Sequence, residues 1–585
     1  MNDIQWLIGG EAGYGIMTTG IMMSKIFTRL GLSVFDYVEY PSLIRGGHNA
    51  YYVRASDEEI YCQKRTVDIL VALNRETIDK HKHELFENAA VIYDPDTIKV
   101  EPNEFASSVL LVPIPLLEST KQVGADKLMV NTVSVGASLA LFYSDFEILR
   151  RIMEDTFGRK GENIVYLNVN TSKAGFDYVL KNFSKKFSVS FEKKPQKNIL
   201  IGGAEAVAFG AIRAGLKFAS IYPMTPINPI LTTLVSSALK YSIVVKEPED
   251  EISAISMAIG ASFAGVRSMT ATSGGGFSLM VESLGLSAQT ETPLVIVEGM
   301  RPGPATGFPT WTEQGDLRFV MHAAQGDFPR IIIAPGDVSE AFSQTLHAFN
   351  LADKYQLPII VLVDKYLMEG HATAPIENFK ALSSKYRIER GKMLSDQETE
   401  GMVDYERYEL TDDGISPRSI PGQKGGIGFS GSDEHDERGL YNEEADNRIK
   451  MMDKRFKKLE FAIREFPAPV LYGKKDAPLT IIAFGSSKMP IMQAMKWLEK
   501  EGIDANLLQV SYLAPFPGAA VERIIKSAKK TLVVEGNKTG QFEGLIREHT
   551  GLVVDHNFRK YDGRPFYPEE IVAKVKEILC QNLKI

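Results

Sequence analysis

The amino-acid sequence predicts an α/β protein of three successive α/β units, and three observations predict it. Short apolar runs of strand length alternate with stretches of helical spacing over most of the chain. The opening strand, glycines, helix in "IQWLIGGEAGYG" and "IMTTGIMMSKIFTRLG" returns in "NILIGGAEAVAFGAIRAG" at 198–215, and a third series begins at 471. With 44% apolar and 24% charged residues over 585 positions, each unit is long enough to bury a core.

Taken in order, "IQWLIGG" reads as a strand and the helix after it stops at Gly31, a suitable C-terminal residue. Strands follow at 67–73, 89–94 and 109–115, and helices at 125–142 and 145–158, which argues a mostly parallel sheet over 1–185. The polar, lysine-rich stretch 186–197 reads as a linker, with a short extended packing segment as the alternative. The second unit spans 198–390 and closes on the strand at 357–366. Its opening echoes the first, but strand–glycine–helix openings are common in α/β folds and do not require duplication. Residues 391–470 are a long Gly-, Ser-, Pro- and Asp-rich loop followed by the helical pattern "NRIKMMDKRFKKLEFAIREF". The third unit, 471–585, has strands in "APLTIIAFG", "ANLLQVSYL" and "KTLVVEGN" and a helix in "KMPIMQAMKWLEKEG".

Composition narrows the function classes. The formal charge of −8, with no basic block, argues against nucleic acid as a partner. Two cysteines, Cys62 and Cys580, are too few for an iron–sulfur cluster and point to a reducing compartment. No apolar run approaches the roughly 18–20 residues that span a bilayer, and the N-terminus has no basic n-region. The expectation is a cytoplasmic protein with no membrane partner.

Several strand-end motifs carry chemistry. Gly10, Gly13 and Gly15 in "GGEAGYG" offer bare backbone at a helix start, where a phosphate or a merely tight turn fits equally. "IYPMTPINP" holds Thr225 between two prolines. "VVKEPEDEISAISMAIGASFAG" leads from a strand into Glu247, Glu249, Asp250 and Glu251 at a helix start. The bland reading of these acids is compensation of the helix dipole. The small residues beyond Glu251 form a face that lets a bulky ring approach closely and partly desolvates a carboxylate pressed against it. "TATSGGGF" adds Thr272, Ser273 and Gly274, and "VIVEGMRPGPATGFPTWTEQGDL" places Arg301 just after a strand. Four strand-end loops, from 222, 247, 272 and 301, then converge on one crevice suited to an organic acid. His435 in "SDEHDE" is a poor metal motif, so no metal is expected in this chain.

The motifs "YPMTP", "EPEDEISAISMAIGASFAG", "TSGGGFSLM" and "RPGPATGFPTWTEQGDL" resemble the α subunit of 2-oxoacid:ferredoxin oxidoreductases, 2-oxoglutarate ferredoxin oxidoreductase in particular. Residues 1–185 resemble the family's γ subunit fused ahead of it, and "SPRSIPG" and "KYDGRPF" extend the likeness over nearly the whole chain. The resemblance implies a γ-type, CoA-associated domain at 1–185, a thiamine-diphosphate pyrimidine-type domain at 198–390 and a transketolase C-terminal-like domain at 471–585. It implies CoA-dependent oxidative decarboxylation of a 2-oxoacid, with electrons passed to ferredoxin, as in the reductive TCA cycle run backwards. Thiamine diphosphate would be shared with a β subunit that also supplies Mg²⁺ and an iron–sulfur cluster, in an (αβ)2 assembly active only with β.

Residue by residue, Glu251 matches the family's catalytic glutamate, Thr225 its substrate-contacting threonine and Arg301 its substrate-binding arginine. Thr272, Ser273 and Gly274 resemble a thiamine-facing loop. For CoA the resemblance offers Gly10, Gly13, Gly15 and Arg45, with Asn537 and Lys538 as alternatives. Two departures stand out: Ala12 and Tyr14 in the N-terminal turn, and Trp311 where relatives commonly carry Lys or Arg. 2-Oxoglutarate is the favoured substrate. Pyruvate, branched or aromatic 2-oxoacids and a non-catalytic assembly scaffold are the alternatives.

Overall fold

The computed structural model describes residues 2–43, 46–101, 103–184 and 186–580. It divides into two compact units, residues 1–201 with 370–376 and 567–571, and the remainder.

The first unit is built on an eight-stranded sheet among the described residues. Leu110–Pro113, Leu85–Tyr93, Val67–Ala72 and Asp3–Glu11 pair in parallel. Asp3–Glu11 then pairs antiparallel with His48–Ser56, which pairs antiparallel with Ser33–Glu39. The sheet is therefore mixed rather than mostly parallel. Ser33–Glu39 and His48–Ser56 follow one another too closely for the crossover that a parallel pair needs, so a hairpin is the accessible solution.

The helix Val130–Phe142 is buried along nearly its whole length beside the 22-residue helix Glu162–Phe183. The two approach at Gly136 and Gly175, where an added Cβ would overlap the backbone of Ser172 and of Val133. That long helix was not anticipated, because its polar face carries Asn, Thr and Lys that blur the 3.6-residue stripe. The lysine-rich stretch after it runs extended along this unit. Phe187 and Phe191 are buried, and the Phe191 and Lys194 amides donate to Phe142 O and Leu30 O at 3.0 and 2.8 Å.

The second unit carries a seven-stranded and a five-stranded sheet. In the seven-stranded sheet Ile331–Ile333, Pro358–Asp364, Leu294–Met300, Ser268–Ser273, Phe218–Ser220 and Val244–Lys246 are neighbours in that order, all parallel. The sequence 505–513, expected as one strand, splits. Asn506–Gln509 enters the five-stranded sheet, and Tyr512–Ala514 pairs antiparallel with Ile331–Ile333 of the larger one.

Buried ion pairs order the long loop. Asp353 takes Arg267 at 2.7 Å, Arg390 at 3.2 Å and Arg418 at 3.3 Å. Glu291 takes Lys454 at 2.6 Å and also Lys458, both on the helix Ala445–Ala462. Burial alone would protonate Glu291, but Lys454, Lys458 and Arg407 hold its carboxyl well below the usual range. Burial pushes Lys458 down to about 7 against that same attraction. His435 is buried with its ring centroid 4.0 Å from that of Tyr408. Cys62 is buried and Cys580 exposed, both as free thiols. Among the described residues no helix is long and apolar enough to cross a membrane.

Candidate functional site

Phe218–Ser220, Val244–Lys246, Ser268–Ser273 and Leu294–Met300 are parallel neighbours in one sheet. Their carboxyl ends share an edge, so the loops from 222, 247, 272 and 301 meet there.

The four acids at the helix start separate by role. Asp250 is the cap, accepting the Ser253 amide at 2.7 Å, and Glu249 accepts the Ser253 hydroxyl at 3.0 Å. Glu247 is exposed. Dipole compensation and capping therefore account for these three. They do not account for Glu251, the first residue of Glu251–Phe263, which is 3% exposed and whose Oε1 is buried with no hydrogen-bond donor among the described residues. An orphaned acceptor of this kind costs about 1–3 kcal/mol, which points to a donor supplied from outside the chain.

The first turn of the helix Gly274–Gln289, which follows Ser268–Ser273 directly, is shaped around that carboxylate. A Cβ at Gly276 would lie 2.5 Å from Glu251 Oε1 and would overlap Thr272 Oγ1, so "SGGG" must be bare at its third glycine. Thr272 and Ser273 are fully buried, and the Thr272 hydroxyl lies 4.0 Å from Met224 Sδ in the "YPMTP" loop. Behind Glu251, Ala254, Ala258 and Ser262 form the buried stripe of its helix. Gly260 is exposed with open space at its Cβ position and takes no part in close packing.

Arg301 lies just beyond Leu294–Met300, and its Nη1 donates to Thr225 O at 2.9 Å. The Thr225–Pro226 bond is cis, and Gly299 packs so closely on Pro226 that an added Cβ would sit 3.0 Å from its Cγ. Met224, Ser273, Gly274, Arg301, Asp316 and Phe319 line a cleft of about 550 Å³.

Sequence reasoning missed an acidic group at this cleft. Glu298 is fully buried in the strand that ends at Arg301, and Asp316 lines the cleft itself. Burial, reinforced by Asp316, pushes the Glu298 carboxyl well above its usual range. Burial raises Asp316 to about 6, with Glu298 and Arg301 opposing, and raises Glu313 to about 7 with help from Asp316. Asp364 is also raised by burial, against hydrogen bonds from Ser486 and the Leu367 amide. The legible signal was Glu298 itself, a lone acid inside the apolar run "PLVIVEGM".

Gly10, Gly13 and Gly15 lie in the first unit, where Gly15 precedes the helix Ile16–Arg29 and no side chain caps it. Gly13 has φ +98° and open space at its Cβ position, whereas a Cβ on Gly15 would overlap the Asn131 amide. Gly10 packs on Leu73. The turn leaves bare backbone at Gly13, while Gly15 is occupied by the fold. Arg45 lies outside the described residues. Asn537 is buried and donates to Glu535 at 2.6 Å, and Lys538 donates to Tyr561 at 2.8 Å, so both are engaged within the chain. The Arg564 guanidinium lies 3.6 Å from the ring centroid of Trp311.

Comparison with known proteins matches three family models in sequence order. Pyruvate ferredoxin/flavodoxin oxidoreductase covers residues 5–178. Pyruvate flavodoxin/ferredoxin oxidoreductase, thiamine diP-bdg, covers 209–454 and therefore all the residues lining the cleft. Pyruvate:ferredoxin oxidoreductase core domain II covers 477–571. The 2-oxoacid:ferredoxin oxidoreductase subunit alpha of Sulfolobus sp is 34% identical over 99% of this chain and 98% of that protein. The 2-oxoglutarate synthase subunit KorA of Methanothermobacter thermautotrophicus is 33% identical over 64% of this chain and 97% of its own length. A solved structure of 2-oxoglutarate:ferredoxin oxidoreductase from Magnetococcus marinus, with 2-oxoglutarate, coenzyme A and succinyl-CoA bound, superposes with a TM-score of 0.90. It is 34% identical over 99% of both chains.

Proposed function

The chain belongs to the 2-oxoacid:ferredoxin oxidoreductases as an α subunit with its γ-type domain in the same polypeptide, and from that premise we propose that it forms the pyrimidine-side half of a thiamine-diphosphate site for 2-oxoglutarate. The observation that carries this reading is Glu251: a buried carboxylate with an orphaned oxygen, held at one sheet edge with Thr272, Thr225 and Arg301. An orphaned acceptor in a dry site fits a protonated ring nitrogen, and the open space at the Gly275 Cβ position leaves room for a flat ring against backbone.

When bound, thiamine diphosphate supplies the carbon nucleophile and electron sink that a 2-oxoacid needs to lose carbon dioxide. The residues of this chain bind and orient. Glu251, 3% exposed, would hold a proton on the aminopyrimidine ring nitrogen. Thr272, Ser273 and Gly274 would form part of the wall that meets the ring. Arg301, its Nη1 fixed by Thr225 O, presents its remaining donors to the substrate carboxylate. Thr225 stands beside it, positioned by the loop that Pro226 anchors on Gly299.

The overall reaction is 2-oxoglutarate plus CoA to succinyl-CoA and carbon dioxide. Two electrons pass to ferredoxin, and the direction is reversible as the reductive TCA cycle requires. A β subunit would supply the diphosphate-side domain, Mg²⁺ and the iron–sulfur cluster, in an (αβ)2 assembly in the cytoplasm. CoA would meet the γ-type domain near Gly10, Gly13, Gly15 and Arg45. The relatives named for 2-oxoglutarate support the substrate, and Arg564 places a guanidinium over the Trp311 ring.

The test is the chain co-purified with its β partner and assayed for CoA-dependent viologen reduction on 2-oxoglutarate, pyruvate and 3-methyl-2-oxobutanoate. The expected result is highest kcat/KM for 2-oxoglutarate and near-complete loss in Glu251→Gln with the assembly intact. Equal turnover of Glu251→Gln would overturn the site, and a preference for pyruvate would overturn the substrate.

A further inference from the structure

Glu298 is fully buried in a strand whose other residues are apolar, and neither of its carboxyl oxygens has a donor among the described amides, hydroxyls and cations. The acidic neighbour that acts on it most strongly is the Asp316 carboxyl, which lines the cleft with Arg301. Two carboxyls that meet in a dry site do not both ionise; they share one proton, and the better-solvated member keeps the charge. Here that member is Asp316, which lines the open cleft beside Arg301. Its Oδ2 is the atom nearest the Gly274 Cβ position, at 2.5 Å, so it faces the N-terminal end of the helix Gly274–Gln289.

The charged groups around the pair are few. Arg301 lies just past the end of the strand that carries Glu298 and is the cation that both carboxyls feel. Glu313 faces Asp316 from the loop before it, and Asp364 faces Glu298 from the end of the neighbouring strand Pro358–Asp364. Among the described residues, those that act most strongly here are one guanidinium and four carboxyls. A substrate carboxylate reaching Arg301 becomes the fifth.

We infer that Glu298 and Asp316 form a one-proton counter-charge to Arg301, and that a 2-oxoacid carboxylate arriving at Arg301 drives a second proton onto the pair. The proton comes from solvent through the open cleft and adds to the Asp316 carboxylate. No other bond forms or breaks, and the site exchanges one negative charge for another. The inference deepens the reading of Arg301 as the substrate-carboxylate ligand and rests on it. Asp316 acts through Arg301 and is a positioning residue rather than a catalytic one.

The sign follows from linkage. Substrate favours the doubly protonated pair, so KM is flat below about pH 6, where Asp316 is already protonated. Above that pH KM rises, with a limiting slope of about tenfold per pH unit, while kcat is unaffected by this pair.

The test uses the assembled enzyme with 2-oxoglutarate, comparing wild type with Asp316→Asn and Glu298→Gln. In wild type KM should rise about fifty-fold between pH 6 and 8. Calorimetric titration at pH 7.5 in two buffers of different ionisation enthalpy should report uptake approaching one proton per site. Asp316→Asn should flatten the KM profile and abolish the uptake. Infrared spectra of the purified chain at neutral pH should contain a carboxylic-acid carbonyl band that Glu298→Gln removes. An unchanged KM slope and proton uptake in Asp316→Asn would overturn the inference while leaving the functional reading in place. Failure of every 2-oxoacid to turn over would overturn the functional reading, and the infrared difference between wild type and Glu298→Gln alone then decides whether the pair holds a proton; a carboxylic-acid band of unchanged intensity in Glu298→Gln excludes it.

Discussion

Gly276→Ala tests the geometry around Glu251 with the smallest available change. A Cβ there would lie 2.5 Å from Glu251 Oε1, whereas ordinary contact begins at 3.4 Å, so the carboxylate must retreat by about 1 Å. The Thr272 hydroxyl, nearer still, must turn away as well. Overpacking of this kind costs about 1–3 kcal/mol, and alanine in a helix returns roughly 0.5–1 kcal/mol relative to glycine. A net loss of about 1–2 kcal/mol leaves the fold intact. A 1 Å displacement of a catalytic group costs about a hundredfold in rate. The expected outcome is a kcat/KM near 1% of wild type in the CoA-dependent viologen assay, with a melting temperature only a few degrees lower. Turnover within threefold of wild type would refute the reasoning, because it would mean that the position of the Glu251 carboxylate does not matter. Gly260→Ala provides the stability control on the same helix as Glu251. With nothing near its Cβ position, it should gain about 0.5–1 kcal/mol in denaturant unfolding of the purified chain.

Other perturbations have equally definite outcomes. Arg301→Lys removes the planar fork while keeping the charge, and steady-state kinetics should show KM for the 2-oxoacid rising at least tenfold with a smaller change in kcat. Glu291→Gln leaves Lys454 and Lys458 facing one another in a dry core and should destabilise the chain by about 3–5 kcal/mol in urea unfolding. Glu313 has its folded-state acidity shifted upward to about 7, so its ionised form costs stability as pH rises from the unfolded value through 7. Glu313→Gln should therefore raise the melting temperature more at pH 8 than at pH 5. Arg564→Ala should raise KM for 2-oxoglutarate more than KM for pyruvate and alter Trp311 fluorescence.

The crevice was legible because its parts are local. Each loop that forms it follows a short apolar strand, and parallel strands place all their carboxyl ends on one edge whatever their order. Which acid mattered was less visible. Glu247, Glu249, Asp250 and Glu251 look alike in sequence, and only packing separates the cap, the exposed acids and the buried orphan. The split of 505–513 between two sheets was hidden for a similar reason, since both halves are apolar and strand-like and their partners lie far away in sequence.

By itself the sequence determined the α/β class, the strand-end loops, the family resemblance and the residue types gathered at the crevice. These depend on periodicity and on short contiguous motifs. Only the tertiary structure decided that the first sheet is mixed, that the loop before 445–462 is ordered by buried ion pairs, and that Glu298 is fully buried while Asp316 lines the cleft with Arg301. Burial and charge pairing are properties of neighbours in space. A carboxylate that would ionise freely in water shares a proton once the fold has removed the solvent around it.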